Sequence, residues 1–239
     1  MSIIIEEIRN DLIRSADEKI KKSGEKFFKE EVIMYGLKSA STTSIGKEHF
    51  KKLADKSKVS VFGYCHELWS SGFMEESFIA CNWSYNVRKE FKPEDFKVFE
   101  NWINNHVTNW ASCDTFCNHT VGIFIEMYPS FLQELKKWAT SDNRWMRRAS
   151  AVSLIVPARH GKFLKEIFEL ADILLTDKDD MVQKGYGWML KAASQAHQEQ
   201  VFDYVMKKKN VMPRTSLRYA IEKMPPDLRS RAMEKPGNV

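Results

Sequence analysis

Apolar residues recur at helical spacing along nearly the whole chain, and the breaks between these stretches are only a few residues long. Helices of about ten to fifteen residues joined by short turns must run antiparallel to their neighbours, which leaves two outcomes, a compact bundle or a stack of helix pairs. Strands have no comparable support. Val, Ile and Thr do not cluster into alternating runs, and ten Gly and seven Pro are few for 239 residues. With 43% apolar and 29% charged residues the chain has the balance of a folded protein, and its length suffices for a core without metal or disulfide staples.

The pattern predicts an opening amphipathic helix from Ile3 to about Lys22, with Ile4, Ile8 and Leu12 on one face and Ser23-Gly24 as its stop. A second helix is predicted over Glu25–Tyr35, and the Ser/Thr-rich stretch Gly36–Ser44 reads as a loop ending in a cap. Further helices are expected near Ile45–Lys56, Lys58–Ser71, Met74–Glu90, Pro93–Val107, Trp110–Met127, Pro129–Ala139 and Arg144–Ile155. Lys162–Leu175, Asp180–Gln195, Glu199–Lys208 and Arg214–Lys223 complete the series. No composition shift marks a linker, so residues 1–239 are expected to form a single domain.

Repetition favours stacked pairs over a bundle. The run Trp145-Met146-Arg147-Arg148-Ala149-Ser150-Ala151-Val152-Ser153-Leu154 lines up with Met181-Val182-Gln183-Lys184-Gly185-Tyr186-Gly187-Trp188-Met189-Leu190 at an offset of 36 residues. Both follow an acidic-polar pair, Ser141-Asp142 and Thr176-Asp177. That offset is the period of a helical repeat, although amphipathic helices also resemble one another by chance. The expected fold is therefore all-α, a HEAT-like α-helical repeat solenoid of antiparallel helix pairs with a concave basic cleft.

A formal net charge of +5 permits a polyanionic partner without demanding one. Cys65, Cys81, Cys113 and Cys117 contain no C-x-x-C pair, and Glu6-Glu7 interrupts the N-terminal Ile run, so reduced thiols in a cytoplasmic protein are expected. No apolar stretch approaches the roughly 20 residues that span a bilayer. The spacing of Cys113, Cys117 and His119 is a weak metal pattern without a second pair, and neither metal nor cofactor is expected.

Three helix faces carry groups with chemistry. Trp110 and Asp114 lie one turn apart, Arg144 and Arg148 lie one turn apart with Arg147 beside them, and Lys184, Trp188 and Lys191 follow at i, i+4 and i+7. Lysines and arginines neutralise phosphates, and indole rings stack on sugars and bases or attract a cationic base. A carboxylate in such company repels phosphate, so Asp114 points to a positive centre that needs stabilising. Rupture of an N-glycosidic bond makes one, because the sugar turns oxocarbenium-like in the transition state. Each residue also has a plainer reading. A Trp at helical spacing is by default a core residue, Asp114 a cap or solvated group, and an arginine run a solvated face.

Glu67-Leu68-Trp69, Asn109-Trp110-Ala111-Ser112-Cys113-Asp114, Ser141 through Ala149, and Gln183 through Lys191 together resemble the AlkD-type alkylpurine DNA glycosylases, HEAT-like repeat proteins of DNA alkylation repair. The resemblance covers most of the chain. It implies excision of cationic N3- or N7-alkylated purines from duplex DNA, without metal and without a deep base-flipping pocket. It places the catalytic carboxylate on Asp114, the two cleft tryptophans on Trp110 and Trp188, and the cleft arginine on Arg148. Where the family commonly has Arg after the second Trp, Lys191 keeps the charge but loses the planar fork. An N-terminal Tyr falls near Phe27, and Ala111 stands where an acidic residue is common.

Three functions follow in order. The first is a monofunctional DNA glycosylase, a monomer, using Asp114, Trp110 and Trp188, with Arg148, Lys191, Arg147, Lys184 and Arg144 on DNA. The second is a catalytically silent DNA-binding repeat protein for distorted or branched DNA. The third is a helical scaffold for an acidic protein partner.

Overall fold

The computed structural model describes residues 2–234, which divide into two compact units bounded at Thr120 and Val121. All regular structure among them is helical apart from an isolated bridge between Ile33 and Phe73. No helix among the described residues is long and apolar enough to cross a membrane.

The first unit holds α1 (Ile3–Arg14), α2 (Glu18–Glu25), α3 (Ser39–Lys52), α4 (Lys58–Trp69), α5 (Met74–Asn86), α6 (Asp95–His106) and α7 (Trp110–Phe116). Helix α5 is its hub, packing on α3, α4 and α7. The core is aromatic. Phe62, Phe99, Trp102 and Phe116 meet edge to face with centroids 5.3 to 5.8 Å apart, and Trp69 adds an edge contact on Phe116.

Here the N-terminal reading fails. The expected helix from Ile3 to Lys22 is two helices, because the Asp17 carboxylate accepts the N–H groups of Lys19 and Ile20 and starts a new one. The segment Glu25–Tyr35 is not a helix either, since α2 ends at Glu25 and the chain beyond it turns and then extends. Its partners lie far away in sequence. Glu75, 1% exposed, accepts the backbone N–H groups of Tyr35, Gly36 and Leu37 at 2.8 to 3.0 Å. Glu76, fully buried, takes a bidentate grip from Arg9 and the Tyr35 hydroxyl at 2.7 Å. The carboxylate beside it raises the pKa of the Arg9 guanidinium, and burial raises that of the Tyr35 phenol. The expected loop Gly36–Ser44 in turn gives way to α3 from Ser39, its Ser and Thr residues lying within the first turns.

The second unit holds α8 (Gly122–Met127), α9 (Leu132–Trp138), α10 (Arg144–Val152), α11 (Ile155–Arg159), α12 (Leu164–Ile173), α13 (Asp180–Ala193), α14 (Gln198–Lys208), α15 (Arg214–Ile221) and α16 (Pro226–Met233). Helix α13 packs on α10, α11, α12 and α15. The 36-residue offset is physical. Asn143 caps α10 and Asp179 caps α13. Contacts repeat at the same separation, with Lys162 Nζ 2.9 Å from Glu126 and His197 Nε2 3.0 Å from the Gly161 carbonyl. The helix expected over Arg144–Ile155 breaks after Val152 and resumes as α11, and α16 lies beyond the last helix the pattern predicted.

All four cysteines are buried, at 2% exposure or less, and burial pushes the Cys65 and Cys81 thiols well above their ordinary pKa.

Glu75→Ala strips the acceptor from three backbone N–H groups. Each group left unsatisfied costs about 1 to 3 kcal/mol, so the urea midpoint should fall by the equivalent of at least about 3 kcal/mol. An unchanged midpoint would show that the extended N-terminal segment is held by something else.

Candidate functional site

Asn109 starts α7 by accepting the Ser112 N–H at 2.9 Å. The cap sets Trp110 in the first helical position and Asp114 one turn later on the same face. Trp110 is half-buried and stacks on Phe28, with ring centroids 5.4 Å apart and planes inclined by 26°. Asp114 is 9% exposed, at the margin of the core and not in open solvent. Three residues on, the helix opens into a π-helical stretch, Cys117–Val121, a deviation that often accompanies functional side chains.

The seven tryptophans separate into two groups. Trp69, Trp83, Trp102, Trp138 and Trp145 are buried at 6% exposure or less, and they are core residues. Trp110 and Trp188 are the two that remain half-exposed. Neither is sealed in the core as the other five are, and each has an aromatic or cationic neighbour, Phe28 on Trp110 and Lys191 over Trp188.

The basic candidates all lie in the second unit, and each has a partner there. Arg144 Nη2 donates to Asp179 Oδ1 at 3.0 Å, Arg147 Nε to Asp177 Oδ2 at 2.7 Å, and Lys184 Nζ to Asp180 Oδ2 at 2.9 Å. Asp179 is also the cap of α13, so one carboxylate starts that helix and ties it to α10. Arg148 is 4% exposed, and its Nη1 donates to the Met181 carbonyl in the first turn of α13. Its stem lies along Gly185, where an added Cβ would stand 3.3 Å from Arg148 Cγ.

Lys191 joins a cluster. Its ammonium lies 2.8 Å from Glu222 Oε2, 5.4 Å from the Tyr219 ring centroid and 6.0 Å from that of Trp188. Tyr219 and Glu222, on and just after α15, have no signal in the sequence that ties them to α13. Phe28 is also new. The sequence points to Phe27, which is 73% exposed, whereas its neighbour carries the stack on Trp110. Among the described residues no group of three or more His, Cys, Asp or Glu side chains is placed to hold a metal ion.

The model of the DNA alkylation repair enzyme family matches residues 8–224. The chain belongs to that family. Its structure is also similar to the solved structure of a predicted DNA alkylation repair enzyme from Enterococcus faecalis, with a TM-score of 0.78 over 89% of this chain and 98% of that one. Identity there is 13%, so this likeness concerns the fold. A comparison with curated proteins gave no match. Family membership assigns the chain a role in alkylation repair and makes the helical-repeat fold its scaffold.

In this family member the Trp188 cluster depends on close helix approach. A Cβ on Gly187 would stand 2.7 Å from Tyr219 Cβ and 2.8 Å from the Ser216 carbonyl oxygen, so α15 would have to move. Gly187→Ala should therefore lower the urea midpoint by the equivalent of about 1 to 3 kcal/mol. Wild-type stability in this variant would show that α15 yields without cost.

Proposed function

We propose that the protein is a monofunctional DNA glycosylase that removes cationic N3- or N7-alkylated purines from duplex DNA. The observation that carries this reading is the pairing on α7 of a half-exposed indole, Trp110, with a nearly buried carboxylate, Asp114, one turn away.

The chemistry asks little of the protein. An alkylated purine already bears a positive charge, so when the N-glycosidic bond breaks, its electron pair goes to the purine nitrogen and the base leaves neutral, without a general acid. The positive charge passes to the deoxyribose. Asp114 stabilises that oxocarbenium-like sugar more strongly than the ground state, and its marginal exposure weakens the screening that water would impose. A water oxygen then bonds to C1′, its proton passes to Asp114 or solvent, and an abasic site remains. Trp110, braced by Phe28, offers its face to the sugar of the lesion nucleotide. Trp188 gives a second aromatic face, and Lys191 brings positive charge beside it. The partner is duplex DNA containing alkylated bases. Arg147, Arg144 and Lys184 bring positive charge toward it from the second unit, and Arg148, buried against Gly185, supports them from within.

The test is release of N7-methylguanine and N3-methyladenine from methylated duplex DNA by wild type and Asp114→Asn, with the freed bases separated and counted. Wild type should release base and the variant should be slower by about 10²-fold or more, with duplex affinity equal or higher because a negative charge is gone. No release by wild type, with the duplex still bound, would replace this reading by DNA binding without chemistry.

A further inference from the structure

The bases that the repeat pattern singles out are largely committed inside the protein, so a nucleic-acid partner needs charge from elsewhere. The guanidinium groups of Arg218 and Arg229 have no ion-pair or hydrogen-bond partner among the described residues, and both side chains are exposed. They line one open, solvent-facing pocket of about 470 Å³ between α15 and α16, together with Ser230, Ile221, Met233 and Glu222. Three neighbouring cations are already engaged. Lys209 Nζ donates to the Arg231 carbonyl at 2.9 Å, Arg214 donates to that of Met233, and Arg231 lies over the Phe202 ring at 5.0 Å. These contacts fasten the end of α16 and leave the two arginines of the cavity unspent.

We propose that this cavity is a subsite for one phosphodiester of the DNA backbone, next to the nucleotide that Trp188 meets. Two guanidinium forks and a hydroxyl match the oxygens of a phosphodiester, and the apolar wall suits the adjoining deoxyribose. The carboxylate in the lining is no obstacle, because Glu222 is neutralised by Lys191 at 2.8 Å. That same pair joins the cavity to the Trp188 cluster, since Glu222 lines the one and Lys191 lies beside the indole of the other. The proposal rests on DNA being the partner and does not depend on base excision.

The experiment is the salt dependence of binding to an undamaged duplex by wild type, the double variant Arg218→Ala/Arg229→Ala, and a charge-matched control, Lys89→Ala/Lys97→Ala, at two exposed lysines of the first unit. Loss of one phosphate contact should flatten the slope of log K against log salt by about 0.9 in the arginine variant, with weaker binding at low salt, and leave the control slope near that of wild type. Circular dichroism checks that all three are folded; these side chains are on the surface, so they should be. An arginine variant with the wild-type slope overturns the subsite, as does a control that flattens equally, because net charge alone then explains the effect. If wild type binds no duplex at all, the DNA reading and the subsite fall together. Duplex binding without base release leaves the subsite standing and removes only the glycosylase.

Discussion

Helix α13 can lie between α10 and α15 because two of its residues have no side chain. Gly185 admits the stem of Arg148 on one side, and Gly187 admits the backbone of Ser216 and the Cβ of Tyr219 on the other. Between them Tyr186 is fully buried, its hydroxyl donating to the Leu175 carbonyl at 3.0 Å. A helix seated this closely on both flanks has little freedom to rotate or slide. Trp188, the next residue, is thereby kept at a fixed place under the Lys191 ammonium, which also lies over Tyr219. The glycines cost helix propensity, and the close packing they permit offsets it.

The electrostatics follow from the same stacking. Asp177 and Asp179 begin the turn that leads into α13, and Arg144 and Arg147 of the preceding repeat reach them. Such pairs align one repeat on the next, and Asp179 also satisfies the N–H groups of Met181 and Val182. A charge used in this way is partly neutralised before any ligand arrives. Counting lysines and arginines on a helix face therefore overstates the field that face presents, and the side chains that matter most to a polyanion are those whose local carboxylates are absent.

Much of this architecture is legible in the sequence where the determinants are local. Most helices from α4 to α15 follow the apolar period, though the stretches beginning at Trp110 and Arg144 are each interrupted, and the 36-residue offset relates α10 and α13 down to their side-chain caps. That Trp110 and Asp114 share a face of α7 is legible because residues one turn apart must do so. What sequence reasoning misses is non-local. The segment after α2 extends because Glu75, forty residues away, supplies its hydrogen bonds. Phe28 and Phe27 are indistinguishable by composition, and only the turn that carries them decides which ring meets Trp110. Tyr219 and Glu222 reach Lys191 through the approach of α15 that Gly187 permits. Arg148 reads as a surface cation in an arginine run, yet its position against Gly185 buries it.

The buried cysteines bear on chemical durability. Alkylating electrophiles attack thiolates far faster than thiols, and sulfur is a better target for most of them than any base nitrogen. Cys65 and Cys81 stay protonated because burial disfavours the anion, and Cys113 and Cys117 present no surface to solvent. A protein of alkylation repair meets its lesions while the agents that make them are still present. With its four thiols closed inside the core, the folded chain is a poor thiol substrate for the damage it is built to answer.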